Sequence, residues 1–130
     1  MSVTLTTQDK LTLRTAAYGA VSLLAAASGA PHKVATTGSV ALTSATGLVG
    51  HVLAEKSPVG DLGGKSVAEL ADRVLPALTA AMRTLREQDS AEAENFRATI
   101  ATALEAGAER AQGPAVAAMS RKITAALDAA

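Results

Sequence analysis

A chain of 130 residues with twelve basic and twelve acidic side chains has no net field to draw in a polyanion, and 2% aromatics leave little surface for stacking bases. A DNA or RNA partner is therefore not expected. The absence of cysteine excludes a disulfide framework, thiol catalysis and thiolate metal sites, and it fits a reducing cytoplasm, where the chain is expected to reside. Hydrophobic residues make up 48% and are mostly Ala, Val and Leu, which suffices for one domain with its own core.

Charge is spread unevenly. Between Thr15 and Ala54 the only formal charge is Lys33, whereas from Glu55 onward charges recur every few residues, as on amphipathic helices with one face in water. Such a split suits a core hairpin wrapped by outer helices, an oligomer interface or, least of the three, a membrane hairpin. The predicted architecture is an all-α, single-domain bundle of about five helices around a central apolar N-terminal helix. Within it a neutral helical hairpin covers 8–56, a loop 57–65, and charged amphipathic helices 66–130.

The first helix follows an N-cap at Thr6, with Asp9 three residues on, or at Thr7, with Lys10 three residues on, and runs to about Ser28. From Leu11 to Ala27 it is apolar or small on nearly every face, so other helices must cover it on all sides. Lys10 and Arg14 ahead of an Ala-ending run have the outline of a secretory signal; Asp9 and the weak hydrophobicity of the run favour an ordinary helix. Gly29-Ala30-Pro31 stops it.

Pro31 suits the first position of a second helix, whose stripe Val34, Gly38, Ala41, Ala45, Leu48, Val52 advances by threes and fours to about Lys56. Gly47 and Gly50 predict a bend or break near its end. Gly38, Ala41, Ala45 and Leu48 form a small-residue line on which another backbone can lie closely, either the first helix or a second copy of the chain.

Ser66 with Glu69 is a capping box that opens the third helix. Its core face is Val67, Leu70, Ala71, Val74, Leu78, Ala81, Met82 and Leu85, and Pro76 should kink or divide it. Asp89 or Ser90 caps the fourth helix, with Glu92 placed for a box with Asp89, and Phe96, Ile100, Ala103, Leu104, Gly107 and Ala111 turn inward. Gln112-Gly113-Pro114 ends it, and a fifth helix buries Val116, Met119, Ile123 and Leu127.

The segments KLTLRTAAYGAVSLLAAA (10–27), GHVLAEK (50–56) and VLPALTAAM (74–82) together resemble a group of small, Ala-rich, all-helical bacterial proteins with no assigned activity. The resemblance spans most of the chain and implies a helical fold; it carries over no functional residue.

Chemistry is sparse. No G-x-S-x-G or Ser/His/Asp arrangement is present, no cofactor is called for, and no metal site is expected: Glu105 and Glu109, one turn apart, read as a solvated acidic face. His51, seven and fourteen residues after Ser44 and Thr37, reads as a helix-edge histidine bonded to its neighbours. The run Gly60–Ser66 is one residue short of a phosphate-binding loop and lacks the preceding strand, yet the backbone of Gly63, Gly64 and Lys65 ahead of a helix is electropositive. Arg14 and Tyr18, one turn apart on the most buried helix, need partners. The expected function is self-association, as a homodimer over the neutral hairpin with Gly38, Ala41, Ala45 and Leu48 at the interface. The alternative is a small-molecule or anion-binding protein, or an enzyme, with a pocket near Arg14, Tyr18, His51 and the 63–65 backbone.

Overall fold

The computed structural model describes residues 4–55 and 66–130. Among them are six helices and no strand: α1 (Thr7–Ala27), α2 (Pro31–Leu42), α3 (Gly47–Ala54), α4 (Val67–Gln88), α5 (Ser90–Arg110) and α6 (Pro114–Asp128). The expected all-α bundle is present, with one helix more than expected because the second is divided.

Helix α1 packs against every one of the other five. The reason is compositional: Leu13, Ala16, Ala17, Ala20, Leu23 and Leu24 leave no polar face, and each is at most 1% exposed. Its start is fixed by a reciprocal box, in which Thr6 Oγ1 accepts from Asp9 N and the Asp9 carboxylate accepts from Thr6 N, both at 3.0 Å. Close approach of the surrounding helices depends on glycine. A Cβ on Gly19 would stand 2.5 Å from Val74 Cγ2 of α4, and one on Gly107 of α5 would stand 3.0 Å from Leu24 and 3.2 Å from Val34, so α5 lies in the crease between α1 and α2.

The sequence spacing predicts one helix from Pro31 to about Lys56 with a bend or break near Gly47 and Gly50, and the structure interrupts it at 43–46, just ahead of Gly47. Thr43 Oγ1 and Ser44 Oγ donate to the carbonyls of Val40 and Ala41, both at 2.6 Å, alongside the backbone bonds of Thr43 N and Ser44 N to the same two oxygens at 3.1 Å. The chain then turns through Gly47 at φ +67°, a left-handed conformation that favours glycine. Helix α5 holds the restart: the Glu92 carboxylate accepts from Leu48 N at 3.0 Å and Asn95 Nδ2 donates to Thr46 O at 2.8 Å. Glu92 is therefore engaged across the bundle, and Asp89 caps α5 through Ala91 N instead.

Ser66 Oγ accepts from Glu69 N at 3.2 Å, as the capping sequence predicts. Pro76 leaves α4 undivided. It is exposed, so the carbonyl that loses an N–H partner to the proline ring faces water. Leu70, Val74, Leu78, Ala81, Met82 and Leu85 are buried as expected, whereas Val67, in the first turn, is 41% exposed. Phe96, Ile100, Val116, Met119, Ile123 and Leu127 close the core from α5 and α6. A Thr79 Oγ1 bond to Ala126 O (2.6 Å) and a two-bonded Arg97–Asp128 pair (2.7 and 3.1 Å) tie α6 to its neighbours. Among the described residues no helix is long and apolar enough to cross a membrane.

Candidate functional site

Lys10, Arg14 and Tyr18 recur every four residues, so they form one line along α1. That line receives the C-terminal end of α3. Arg14, with its side chain 5% exposed, donates from Nη1 to Glu55 Oε2 at 3.2 Å. Lys10 Nζ and His51 Nε2 each lie 3.7 Å from Glu55 Oε1. Tyr18 Oη donates to Leu53 O at 2.9 Å.

Electrostatics explains why cations gather at this point. The last carbonyls of a helix carry partial negative charge and lack intrahelical donors. Tyr18 satisfies one of them directly, while Lys10 and Arg14 complement the helix end and neutralise the carboxylate at its C-cap. Between the cations and the clamp of Glu92 and Asn95 at the other end, an eight-residue helix that buries only Val49, Val52 and Leu53 is fixed in place.

Of the residues singled out by sequence, the structure thus brings Arg14, Tyr18 and His51 together. His51 stays 76% exposed, so it rims the cluster. The line Thr37–Ser44–His51 is broken by the 43–46 turn. Gly63, Gly64 and Lys65, and the loop 57–65 to which they belong, lie outside the described residues. Glu55, the carboxylate on which the cluster converges, and Lys10 were not among the residues chosen by sequence. The signal available was the His51–Glu55 spacing of four, one helical turn.

Gly38 is buried, and a Cβ there would meet Val21 of the same chain at 2.8 Å; Ala41, Ala45 and Leu48 are half-buried against the core. The small-residue line therefore serves the contact of the hairpin within the chain. The opposite side of α2 faces water, with Thr36, Val40, Thr43 and Ser44 exposed and Val40 at 64% the most exposed of the large hydrophobic residues described.

A shallow hollow of about 190 Å³ lies between α5 and α6, lined by Ala101, Leu104, Glu105, Ala108, Ser120 and Thr124. It shares no residue with the Glu55 cluster. Among the described residues no group of three or more His, Asp or Glu side chains is placed to hold a metal ion. No family model matches the chain, no curated protein matches it, and no solved structure matches it.

Proposed function

We propose that this chain works by self-association, as a homodimer joined at its charge-poor second and third helices, in which Lys33 is the single lysine, arginine, aspartate or glutamate. The observation that carries the reading is the outward side of α2 and the turn after it. Thr36, Val40, Thr43, Ser44, Thr46 and Gly47 are exposed and uncharged. The outer faces of α4, α5 and α6 instead present Glu69, Arg83, Glu94, Glu109, Arg121 and Lys122. The one charge on this side is the exposed Lys33, two turns before Val40, and an antiparallel crossing of two copies of α2 near Val40 sets the two lysines apart; depletion of charge is the compositional mark of an interface centre. The surface offered to the second copy is then the one opposite Gly38, Ala41, Ala45 and Leu48.

Helix α2 is only about 18 Å long, so contact through it alone is small and association should depend on concentration. Sedimentation equilibrium of the intact chain over a wide concentration range tests this. The expected result is a mass rising from monomer toward dimer, with Val40→Glu displacing the rise to higher concentration. A monomer mass at every concentration refutes the reading.

A second reading, a small-anion site, is supported by the gathering of Lys10, Arg14 and His51 on one carboxylate. An oxyanion would enter by displacing Glu55. Titration with inorganic phosphate, followed at the His51 imidazole by NMR, decides it: a saturable shift that strengthens in Glu55→Gln supports the site, and no saturable shift removes it.

A further inference from the structure

We infer that two copies join by exchanging everything that follows the 43–46 turn, so that α1 and α2 of one copy are covered by α3 to α6 of the other. This rests on the self-association reading and says how the join is made. Its starting point is a disagreement between local sequence and fold. The stripe Val34, Gly38, Ala41, Ala45, Leu48, Val52 keeps helical spacing straight through 43–46, and no proline occurs between Pro31 and Pro58. The apolar spacing thus favours one helix over Pro31–Ala54, about 36 Å long, against the break that Gly47 and Gly50 predict, and the folded chain has two.

Two glycines are required by the bend and by nothing in a straight helix. Gly47 holds φ +67°, and a Cβ there would lie 2.9 Å from Glu92 Oε1. At Gly50 a Cβ would lie 2.3 Å from the backbone oxygen of Ala45, which no side-chain rotation relieves. In a continuous helix neither obstruction exists, and any residue but proline at these positions would favour the straight form. Thr43 and Ser44 are compatible with both forms, because their hydroxyls bond carbonyls three residues back, as such side chains also do within helices.

The contacts that hold the bundle cross this point. Gly19 against Val74, Leu24 and Val34 against Gly107, Arg14 on Glu55 and Tyr18 on Leu53 each unite a residue before the turn with one after it. Exchange re-forms every one of them between copies, so monomer and dimer differ in the turn, in what lies near the two-fold axis, and in concentration. Near that axis the straightened α2–α3 helices pass each other with Val40, Thr43 and Ser44 outward, and the neutral side becomes the new contact. A short connection under backbone constraint is the kind that invites such an exchange.

The chain has no cysteine, so introduced thiols report without interference. A Cβ at position 19 stands 3.3 Å from Val74 Cβ, slightly inside the separation a disulfide spans, and one at 38 stands 3.5 Å from Val21 Cβ, at its lower edge. Positions 19 and 74 flank the turn, whereas 21 and 38 both precede it. Gly19→Cys/Val74→Cys is refolded from urea at a series of concentrations, oxidised, and run on denaturing, non-reducing gels, with Val21→Cys/Gly38→Cys as control. Exchange predicts linked dimers that increase with concentration for the first pair and links within the chain for the second. A sedimenting dimer whose 19–74 link stays within each chain overturns the exchange and leaves self-association standing. Should the cysteine pair not fold, Gly47→Ala/Gly50→Ala decides by sedimentation: dimerisation strengthened about tenfold or more supports the hinge, and no gain overturns it.

Discussion

Replacing Gly19 with Ala tests whether the closeness of α1 and α4 is the organising contact of the bundle. Ala is the better helix former by about 1 kcal/mol, so on propensity alone the substitution should stabilise. The structure reverses the sign. The new methyl would stand 2.5 Å from Val74 Cγ2 and 3.0 Å from Val74 Cγ1, about 1 Å inside the normal separation of carbon atoms. Val74 cannot swing aside, because a β-branched side chain in a helix has one strongly preferred rotamer and this one is fully buried. The helices must move apart, and overpacking of this kind costs about 1–3 kcal/mol, which offsets the gain in propensity and leaves a net loss of about 0–2 kcal/mol. Val74→Ala alone deletes two buried methyl groups and should lose about 2–3 kcal/mol. In the double variant the methyl added at position 19 occupies space that the valine vacated, so the loss should fall short of the sum by about 1 kcal/mol or more. Urea unfolding followed by circular dichroism, at concentrations where sedimentation shows monomer, gives the three values. Losses that add to within about 0.5 kcal/mol, or a Gly19→Ala chain more stable than the parent, would refute the reasoning.

Two further outcomes concern polar contacts. The Arg97 guanidinium, hydrogen-bonded to Asp128, holds that carboxyl below its ordinary value of 3.8, with some opposition from burial. Because the folded-state value is the lower one, the stabilisation is present above the unfolded value and is lost as pH falls through the folded one. The pair is exposed, so the effect is small: the drop in urea midpoint between neutral and strongly acidic pH should be slightly smaller in Asp128→Asn, and an identical drop would show that the pair contributes nothing. Glu92→Ala removes the acceptor of Leu48 N and should cost about 1 kcal/mol, the usual worth of a helix cap. Hydrogen exchange should then lose protection at Leu48 and along α3 while the buried centre of α5 around Phe96 and Ile100 keeps it; unchanged protection at Leu48 would show that the backbone turn alone holds α3 in place.

The parts of this fold that were legible in the sequence are those fixed by neighbours in the chain. Thr6 with Asp9, Ser66 with Glu69, and Gly113 before Pro114 mark helix ends because capping is a matter of three or four residues. Burial of α1 was legible for a different reason: a stretch without a polar face has only one place to go. What escaped was decided by helices distant in sequence. Glu92 fitted a local box with Asp89, and only the arrival of α3 beside α5 redirects it 44 residues back to Leu48. Arg14 and Tyr18 were identifiable as needing partners, but those partners, Glu55 and Leu53 O, lie 41 and 35 residues on and meet α1 only because the helix between breaks at 43–46.

That break is the point where local and tertiary preference conflict. At most other points propensity, capping and apolar spacing agree with the fold, Pro76 within α4, the exposed Val67 and the redirected Glu92 being departures that leave the helix boundaries in place. At 43–46 the apolar spacing favours continuation, while Glu92, Asn95 and two glycines hold the chain to a turn. The bend is held by contacts of α5 with residues 46–48, whereas the contacts that cross the turn, such as Gly19 on Val74 and Arg14 on Glu55, can be supplied by a second copy. A conflict of this form has a consequence that a simple loop between two helices does not have: strengthening the local preference should not unfold the protein but should change its number of chains. Weakening the clamp with Glu92→Ala and removing the glycines with Gly47→Ala/Gly50→Ala therefore act in the same direction on association, although one deletes a contact and the other adds helix propensity.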